Sequence, residues 1–392
     1  LRSPSPCAVV EPGGLDSLPP ELLNEILSRL PLRWAVRTAG LSRAWRRRWE
    51  SVPSLRFWWH DGVDPNAISG VLRRYSCPVR DFRHWHIGEA SFRHSDRWLR
   101  LLALRGVRTL KLEFERSESD EESIVHTLHP SIFSCRGLTV LELKGCDIPT
   151  IPPGFTGFPN LTELRLFNLP DSHDEYLQWE IQAPKLQYLL INQLTDYGWL
   201  INELPSLEEA ELDVSIYSTE RDFVQLMTGL VHTKKLKFVI PHGYGNVLEV
   251  LSCHFNNLKS LSVQTSLHLL SEASSFFCLL RSAPSLEVLD IELYDDYSDS
   301  DDDEVDSDFL NAQWTDDMFL NLTRVDVTHL TCNLSEMHFV KFVLSKARQL
   351  REFHVCLDEY CSRSNEDVVT ELLKYKRASA RAKVFFRGPQ YD

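Results

Sequence analysis

The sequence predicts an α/β protein in which a small N-terminal helical unit precedes a solenoid of stacked strand units. Three observations support this fold class. Apolar residues near the N-terminus recur with helical spacing, ten later segments share a short strand motif, and these segments return at similar intervals. The 392 residues are 43% hydrophobic and 25% charged, so the chain can bury a large core.

The N-terminal part of the sequence is predicted to form three short helices after a flexible segment. Residues 1–14 are rich in Pro, Ser and Gly and are predicted to be flexible. A first helix is expected to follow the prolines at 19 and 20 and to end at Pro31. Two more are predicted over residues 33–39 and 42–49, the last with Ser42 as N-cap. Helices this short bury little surface alone, so their apolar side chains indicate a partner's groove.

This segment resembles the F-box, in its plant variety. Residues 18–31 read Leu-Pro-x-Glu-Leu-x-x-x-Ile-Leu-x-x-Leu-Pro, and Ala-Val-Arg-Thr (35–38) and Leu-Ser-Arg-x-Trp-Arg-x-x-Trp (41–49) follow. The resemblance implies an F-box at residues 15–55 that binds a Skp-type adaptor and, through it, cullin and RING subunits. The implied adaptor-binding residues, of which the last two hold the third helix in place, are Leu18, Pro19, Leu22, Ile26, Leu30, Pro31, Leu41 and Trp45.

An alternative is that these apolar residues form the core of a small helical unit, and we expect this for Leu23, Leu27 and Trp49. One residue departs from the plant pattern, since Trp34 stands where a polar or acidic residue is usual. The arginines at 43 and 46–48 are open to a second interpretation, as a nuclear import signal.

Ten segments carry a strand motif with apolar residues at positions four and six and, in nine of the ten, also at position one. They begin 21 to 36 residues apart, close to the roughly 20 to 29 residues of leucine-rich repeats. The alternation along each strand places the apolar residues on one side of it. Residues 97–105 are predicted to form a helix that returns the chain to the start of the next strand. We therefore expect a leucine-rich-repeat solenoid over residues 56–313, with a parallel concave sheet and a helical or irregular convex side. The motifs begin at Val107, Leu138, Leu161, Leu186, Leu207, Thr233, Leu258, Leu286, Leu322 and Leu350.

Two further segments complete the predicted domain organisation. Residues 295–308 contain nine acidic residues and are predicted to be a disordered, solvated insertion, since they lack the glycine and closing glutamate of a calcium loop. Residues 314–388 resemble the C-terminal FBD region of plant F-box proteins through Leu-Thr-Arg-Val (322–325), residues 336–344, Arg-Ala-Ser (377–379) and Val-Phe-Phe (384–386). We expect this region to cap the end of the solenoid.

Composition and motifs favour a non-catalytic protein in a reducing compartment. Nine scattered cysteines without a CxxC pair indicate the cytoplasm or the nucleus, although three N-x-S/T sequons leave secretion as an alternative. The net charge of −14 argues against nucleic acid, and no segment is apolar enough for a membrane span. Phosphate-binding, zinc-protease and RING motifs are missing, so we expect no enzyme activity, cofactor or metal.

These observations predict a substrate-recognition subunit of a Skp-cullin-F-box ubiquitin ligase. The alternative is a leucine-rich-repeat scaffold that takes no part in ubiquitination. Positions three, five and seven of each motif should face the concave surface, where one apolar spot lies beside a row of acids. We expect a substrate to bind there, by an apolar side chain next to Lys or Arg, unless neighbouring loops cover the patch. The predicted residues are Arg165, Phe167, Tyr188, Leu190, Glu209, Glu211 and Asp213.

Overall fold

The chain forms two compact units, residues 1–141 with 145–152 and residues 142–144 with 153–392. The flexible segment predicted at residues 1–14 lies outside the described residues. The predicted domain boundaries after residues 55 and 313 do not coincide with this division, and they stay predictions. The computed structural model describes residues 18–43, 45–52, 56–59, 63–115, 126–169, 179–196, 198–218, 221–241, 248, 250–294 and 305–389.

The first unit alternates short helices with parallel strands. β1 pairs with β2 and β2 with β3, all in parallel, and helices α3 and α4 pack against each other. Short 3-10 turns connect several of these elements. The elements are α1 (Pro20–Arg29), α2 (Leu32–Arg37), β1 (Arg56–Trp59), α3 (Pro65–Arg74), β2 (Asp81–Ile87), α4 (Phe92–Leu104), β3 (Thr109–Phe114) and β4 (Val140–Lys144), of which β4 contributes its first two residues to this unit.

The third predicted helix, over residues 42–49, is not formed in the described residues. Its amides bond three residues back instead of four, from Trp45 N to Ser42 O and from Arg48 N to Trp45 O, each at 3.2 Å. Tertiary contacts fix this conformation: Trp49 is buried under the Arg74 guanidinium, 5.5 Å from the ring centre. The segment therefore ends in a 3-10 turn at Arg48–Ser51.

The second unit is a solenoid in which strand order follows chain order. Strands β5, β7 and β9–β15 each pair in parallel with the next, and β6 and β8 form a separate two-stranded sheet. Helices or irregular segments return the chain between them. The elements are β5 (Glu163–Phe167), β6 (Glu180–Ile181), β7 (Tyr188–Thr195), β8 (Leu200–Ile201), β9 (Glu209–Ile216), α5 (Phe223–Gly229), β10 (Lys235–Val239), β11 (Ser260–Thr265), α6 (Leu270–Arg281), β12 (Val288–Leu293), α7 (Ser307–Ala312), β13 (Arg324–Leu330), α8 (Leu334–Lys346), β14 (Glu352–Leu357), α9 (Asn365–Lys374) and β15 (Lys383–Arg387).

All ten predicted repeat motifs form strands. In every one, the residues at positions four and six are at most 3% exposed, so the apolar side chains of successive strands stack into a continuous core within each unit. The returning helix predicted over residues 97–105 is confirmed as α4, which begins five residues earlier, at Phe92. Strands β1 and β2 are not among the ten predicted motifs.

The acidic insertion predicted at residues 295–308 is described only in its last four residues. These belong to the folded second unit, since Val305 is 1% exposed. The Asp306 carboxylate caps α7 by accepting hydrogen bonds from the amides of Asp308 (3.0 Å) and Phe309 (2.8 Å). The predicted insertion is therefore too long at its C-terminal end, because it included a helix cap.

Candidate functional site

Helix α1 presents two adjacent apolar stripes, one buried and one exposed. It starts after Pro19, with Glu21 in its first turn, and ends before Pro31, as predicted. Leu23 and Leu27 are at most 1% exposed, which confirms their assignment to the core, and the helix contacts the 3-10 turn at Arg48–Ser51. The neighbouring stripe faces away from that core, and the described residues leave it partly exposed.

The exposed stripe follows a spacing of four residues. Leu22 and Ile26 are 52% and 42% exposed, whereas Leu18 and Leu30 are half-buried at its two ends. The flanking prolines of the predicted set, Pro19 and Pro31, are exposed. Residues four apart lie on one face of a helix, so Leu22 and Ile26 share one face of α1. Leu18, just before the N-cap, and Leu30, the extended C-cap, flank this face at its two ends. We call residues 18, 22, 26 and 30 the α1 stripe.

The other two predicted adaptor-binding residues differ in exposure. Trp45 is 3% exposed and holds the turn region in place, so its ring is not presented to a partner. Leu41, which was expected to hold a third helix, is instead 60% exposed because that helix is not formed. Leu41 therefore offers contact surface, and Trp45 supports the fold.

Trp34 adds an aromatic side chain on α2. Its ring is 45% exposed, and the guanidinium groups of Arg33 and Arg37 lie 5.5 and 4.8 Å from its centre. Such cation–π contacts orient the ring and leave the arginine charges close to the apolar surface. A partner of this helix therefore meets an aromatic ring between two cations, where the plant pattern usually has a polar or acidic residue.

The residues of the predicted substrate patch lie on one face of β5, β7 and β9. The strand register aligns Arg165 with Leu190 and Glu211, and it aligns Tyr188 with Glu209. Phe167 and Asp213 lie in the next row, both opposite Asn192. All of these side chains are half-buried, on the side opposite the core leucines. The structure therefore brings the predicted residues together.

Tyr188 is the centre of this patch. The Arg165 guanidinium lies 4.6 Å from its ring centre and pairs with Glu163 at 2.6 Å (Nε to Oε1). The Tyr188 hydroxyl donates a 2.7 Å hydrogen bond to Glu211 Oε1. Burial and this carboxylate both raise the pKa of Tyr188, so the phenol stays protonated. The ring is held in place by its neighbours, as a preorganised binding residue would be.

The acids of the patch already have partners. Besides the Glu211 contact, Asp213 Oδ2 accepts from the Asn192 amide at 2.8 Å, and Glu209 lies 3.6 Å from the Lys235 ammonium. Lys237 stands beside Glu211 in the register. Lysines on β10 therefore border the predicted row of acids, and their charge reduces the area of the surface that carries a negative potential.

A serine, a histidine and an aspartate meet in the first unit, but their geometry is not that of a hydrolytic triad. Ser95 Oγ and Asp96 Oδ1 both lie at the same ring nitrogen of His126, Nε2, at 2.8 and 3.8 Å. A triad needs the carboxylate at the other nitrogen. The Ser95 hydroxyl also donates to Phe92 O at 2.7 Å, and burial lowers the pKa of His126. These groups support the fold of α4.

The described residues include neither a metal-ligand cluster nor a membrane-spanning helix. Within them, no three His, Cys, Asp or Glu side chains cluster closely enough to hold a metal ion. None of the described helices combines the length and the apolar character that crossing a membrane requires.

Comparison with known proteins agrees with these observations. The F-box domain model matches residues 15–57, and a model described as the leucine-rich repeats of the FBD-associated F-box protein At5g56370 matches residues 95–219. Among curated relatives from Arabidopsis thaliana, F-box/FBD/LRR-repeat protein At1g13570 is 25% identical over 96% of this chain and 98% of its own length.

Two more relatives from the same plant extend this result. F-box protein At5g03100 is 32% identical over 58% of this chain and 84% of its own length. FBD-associated F-box protein At5g60610 is 23% identical over 86% of this chain and 98% of its own length. With an F-box match at the exposed α1 stripe and a repeat match over the stacked strands, the chain belongs to the plant F-box/LRR-repeat proteins that carry a C-terminal FBD region.

Proposed function

We propose that this protein is the substrate-recognition subunit of a Skp-cullin-F-box E3 ubiquitin ligase. The observation that carries this proposal is the α1 stripe, in which Leu22 and Ile26 remain 52% and 42% exposed inside the region matched by the F-box model. Exposed leucine and isoleucine on a well-formed helix, next to a separate buried stripe, are typical of a helix that a partner's groove covers.

In this proposal the protein performs no chemistry itself. The adaptor bound at the α1 stripe links it to cullin and RING subunits, and the repeat strands hold the substrate near the ubiquitin-conjugating enzyme. The eight described cysteines are free thiols, as expected for a complex that acts in the cytoplasm or the nucleus.

Adaptor capture by single variants tests the first half of the proposal. Ile26→Asp and Leu22→Asp should each weaken binding of a purified Skp-type adaptor by at least about thirtyfold, since central apolar contacts are worth about 2 kcal/mol or more. Leu104→Asp is the matched control, because Leu104 is 83% exposed on α4 and lies outside the α1 stripe. Its adaptor affinity should equal that of the wild type.

The results separate this proposal from a scaffold without a ubiquitination role. If the wild-type protein does not bind the adaptor, or if both aspartate variants bind as well as Leu104→Asp, the ligase assignment is wrong. Circular dichroism of the three variants verifies that the fold is intact, which is expected because all three positions are exposed.

The second half of the proposal places a substrate on the Tyr188 patch. Tyr188→Ala combined with Leu190→Ser removes its apolar surface while leaving the buried Leu189 in place. Proteins ubiquitinated by the reconstituted ligase should then lose modification, whereas adaptor affinity stays unchanged. Ser260→Ala with Ser262→Ala, on the same face of β11, is the control. Equal modification by the patch variant and the control would move the substrate site elsewhere.

A further inference from the structure

We propose that the outer face of β1 and β2 is a second recognition surface, which binds an acidic protein segment carrying an apolar side chain. We call the surface formed by Arg56, Trp58, Asp81, Arg83 and Trp85 the tryptophan face. This inference rests on the proposed function as a substrate receptor and names a chemical class for the recruited protein. It concerns strands that the ten repeat motifs do not include.

Strand alternation makes the two tryptophans surface residues. Phe57 and Phe82 point into the core of the first unit and are fully buried, so their neighbours along β1 and β2 point outward. Trp58 is 41% exposed and Trp85 half-buried, with ring centres 6.3 Å apart at an interplanar angle of 84°. Exposed tryptophan pairs of this kind are frequent at the centres of protein interfaces.

Arginines hold the Trp58 ring in place. The guanidinium groups of Arg56 and Arg83 lie 5.3 and 5.0 Å from the ring centre, and the indole Nε1 lies 3.5 Å from Asp81 Oδ2. Arg83 also forms a two-point contact with the Asp81 carboxylate, at 2.9 and 3.3 Å. The ring is therefore fixed before a partner arrives, which lowers the entropy lost on binding.

The uncompensated charge at this surface is positive. Asp81 is already paired with Arg83, whereas Arg56 has no ion pair among the described residues. Arg80 and Arg108 precede β2 and β3, are joined through the Arg108 amide and the Arg80 carbonyl at 3.0 Å, and are likewise exposed without an ion pair in the described part of the chain. On β3, the positive charge of Lys111 and the negative charge of Glu113 offset each other. Arg56 on the tryptophan face, with Arg80 and Arg108 at the starts of the next two strands, thus leaves this part of the sheet with a net positive charge, which carboxylates complement.

Protein fits this surface better than nucleic acid. A base would need a free aromatic face for stacking, but two guanidinium groups already lie over the Trp58 ring. The exposed part of Trp58 and the neighbouring half-buried Trp85 side chain suit contact with a leucine or phenylalanine side chain. The bordering arginines then pair with acidic residues that flank this apolar side chain.

Selection from a random library of 12-residue peptides tests this proposal on the full chain. We expect wild-type protein to enrich peptides with several Asp or Glu around one large apolar residue. Synthetic versions should bind Trp58→Ala and Arg56→Glu at least tenfold more weakly than wild type. The matched control is Arg97→Glu, which makes the same charge change at an exposed position of α4. Serine in place of the apolar residue should weaken the peptide similarly.

Each other outcome counts against the proposal. Enrichment of basic or uncharged peptides, no enrichment, or equal binding to Trp58→Ala and wild type would overturn it. Tighter binding of a 12-nucleotide single-stranded DNA than of the best peptide, lost in Trp58→Ala, would assign the surface to nucleic acid. Melting temperatures and adaptor affinity of Trp58→Ala should match wild type; a loss of adaptor binding in this variant would place the adaptor on the tryptophan face. The proposed function fails separately, if wild-type protein binds no adaptor.

Discussion

Helix α1 and strand β7 each carry two consecutive leucines, and the two pairs differ in the surface they leave open. In α1, Leu23 is 1% exposed and Leu22 is 52% exposed. In β7, Leu189 is fully buried, and Leu190 is half-buried between Arg165 and Glu211 of the flanking strands. A sheet face is partly covered by its own neighbouring strands, whereas the described residues leave more than half of the Leu22 side chain exposed. The exposed leucine of α1 is thus the one that the proposed function assigns to a partner.

Alanine substitutions should separate the buried from the exposed member of each pair. Leu23→Ala and Leu189→Ala should lower the free energy of unfolding by about 2–5 kcal/mol, since both side chains are at most 1% exposed. Leu22→Ala should change it by less than about 1 kcal/mol, and Leu190→Ala should lie between. Urea titrations followed by circular dichroism provide the measurement. A large loss for Leu22→Ala would show that its side chain serves the fold.

The comparison of buried and exposed side chains also applies to polar residues, as a buried carboxyl group in one of the repeat helices shows. Glu336 in α8 is 4% exposed and accepts a 2.7 Å hydrogen bond from Cys332 N. Burial raises the pKa of Glu336 to about 7, above the pKa of about 4.5 expected in the unfolded chain. The folded state therefore binds this proton more tightly. The contribution of the protonated Glu336 carboxyl to the free energy of unfolding is fully present below about pH 4.5, and it is lost as the pH rises through 7.

The test compares Glu336→Gln with wild type at several pH values. The stability difference, wild type minus variant, should fall by about 3 kcal/mol between pH 4.5 and pH 7.5, a shift of about 2.5 pKa units. Glu359→Gln, at an exposed position, is the control and should show no such trend. A difference that is constant with pH would mean that Glu336 is ionised throughout.

A hydrogen bond on the outward face of β7 should contribute less to the free energy of unfolding than these buried groups do. Tyr188→Phe removes the 2.7 Å contact with Glu211 Oε1 and should cost about 0.5–1.5 kcal/mol of stability. A double-mutant cycle with Glu211→Gln isolates this term. A coupling energy near zero would show that solvent replaces the contact without loss.

The smallest effect is expected from deletion of residues 295–304. Seven of these ten residues are acidic, and Tyr297 is the only one with a large apolar surface to bury. The melting temperature should change by no more than a few degrees, provided Val305 and the Asp306 cap are kept. A deletion extended through Asp306 should cost more, because the α7 amides lose their acceptor.

The repeat strands could be predicted from the sequence because each motif repeats the same alternation. Strand β2 also alternates, but its inward positions 82 and 84 hold phenylalanine and histidine instead of leucine, and His84 is buried in a stack 5.4 Å from Trp98. Tertiary packing of aromatic rings thus replaces the leucine pattern. The tryptophan face was missed for the same reason, because outward positions can be read only after the strand is recognised.

The turn region after α2 shows a different limit of sequence interpretation. The assignment of Trp49 to the core is confirmed, and Trp45, which was expected to hold a third helix in place, is buried as well. It does not reveal that the backbone reaches this arrangement through turns, since the contacts that decide it come from α3, later in the chain. The outward positions of α1 follow from local helical periodicity, and the rows of the Tyr188 patch follow from aligning the repeat motifs, so both were predictable.

The junction between the F-box region and the first repeat has a consequence for protein engineering. The Glu50 carbonyl accepts hydrogen bonds from both the amide and the hydroxyl of Ser76, each at 2.8 Å, and the Tyr75 hydroxyl donates to the Val52 carbonyl. A chimaera that joins a foreign F-box at residue 55 would cut between these partners. Grafts that carry α3 and residue 76 along with the F-box should keep the transplanted segment at a fixed angle to its own first strand.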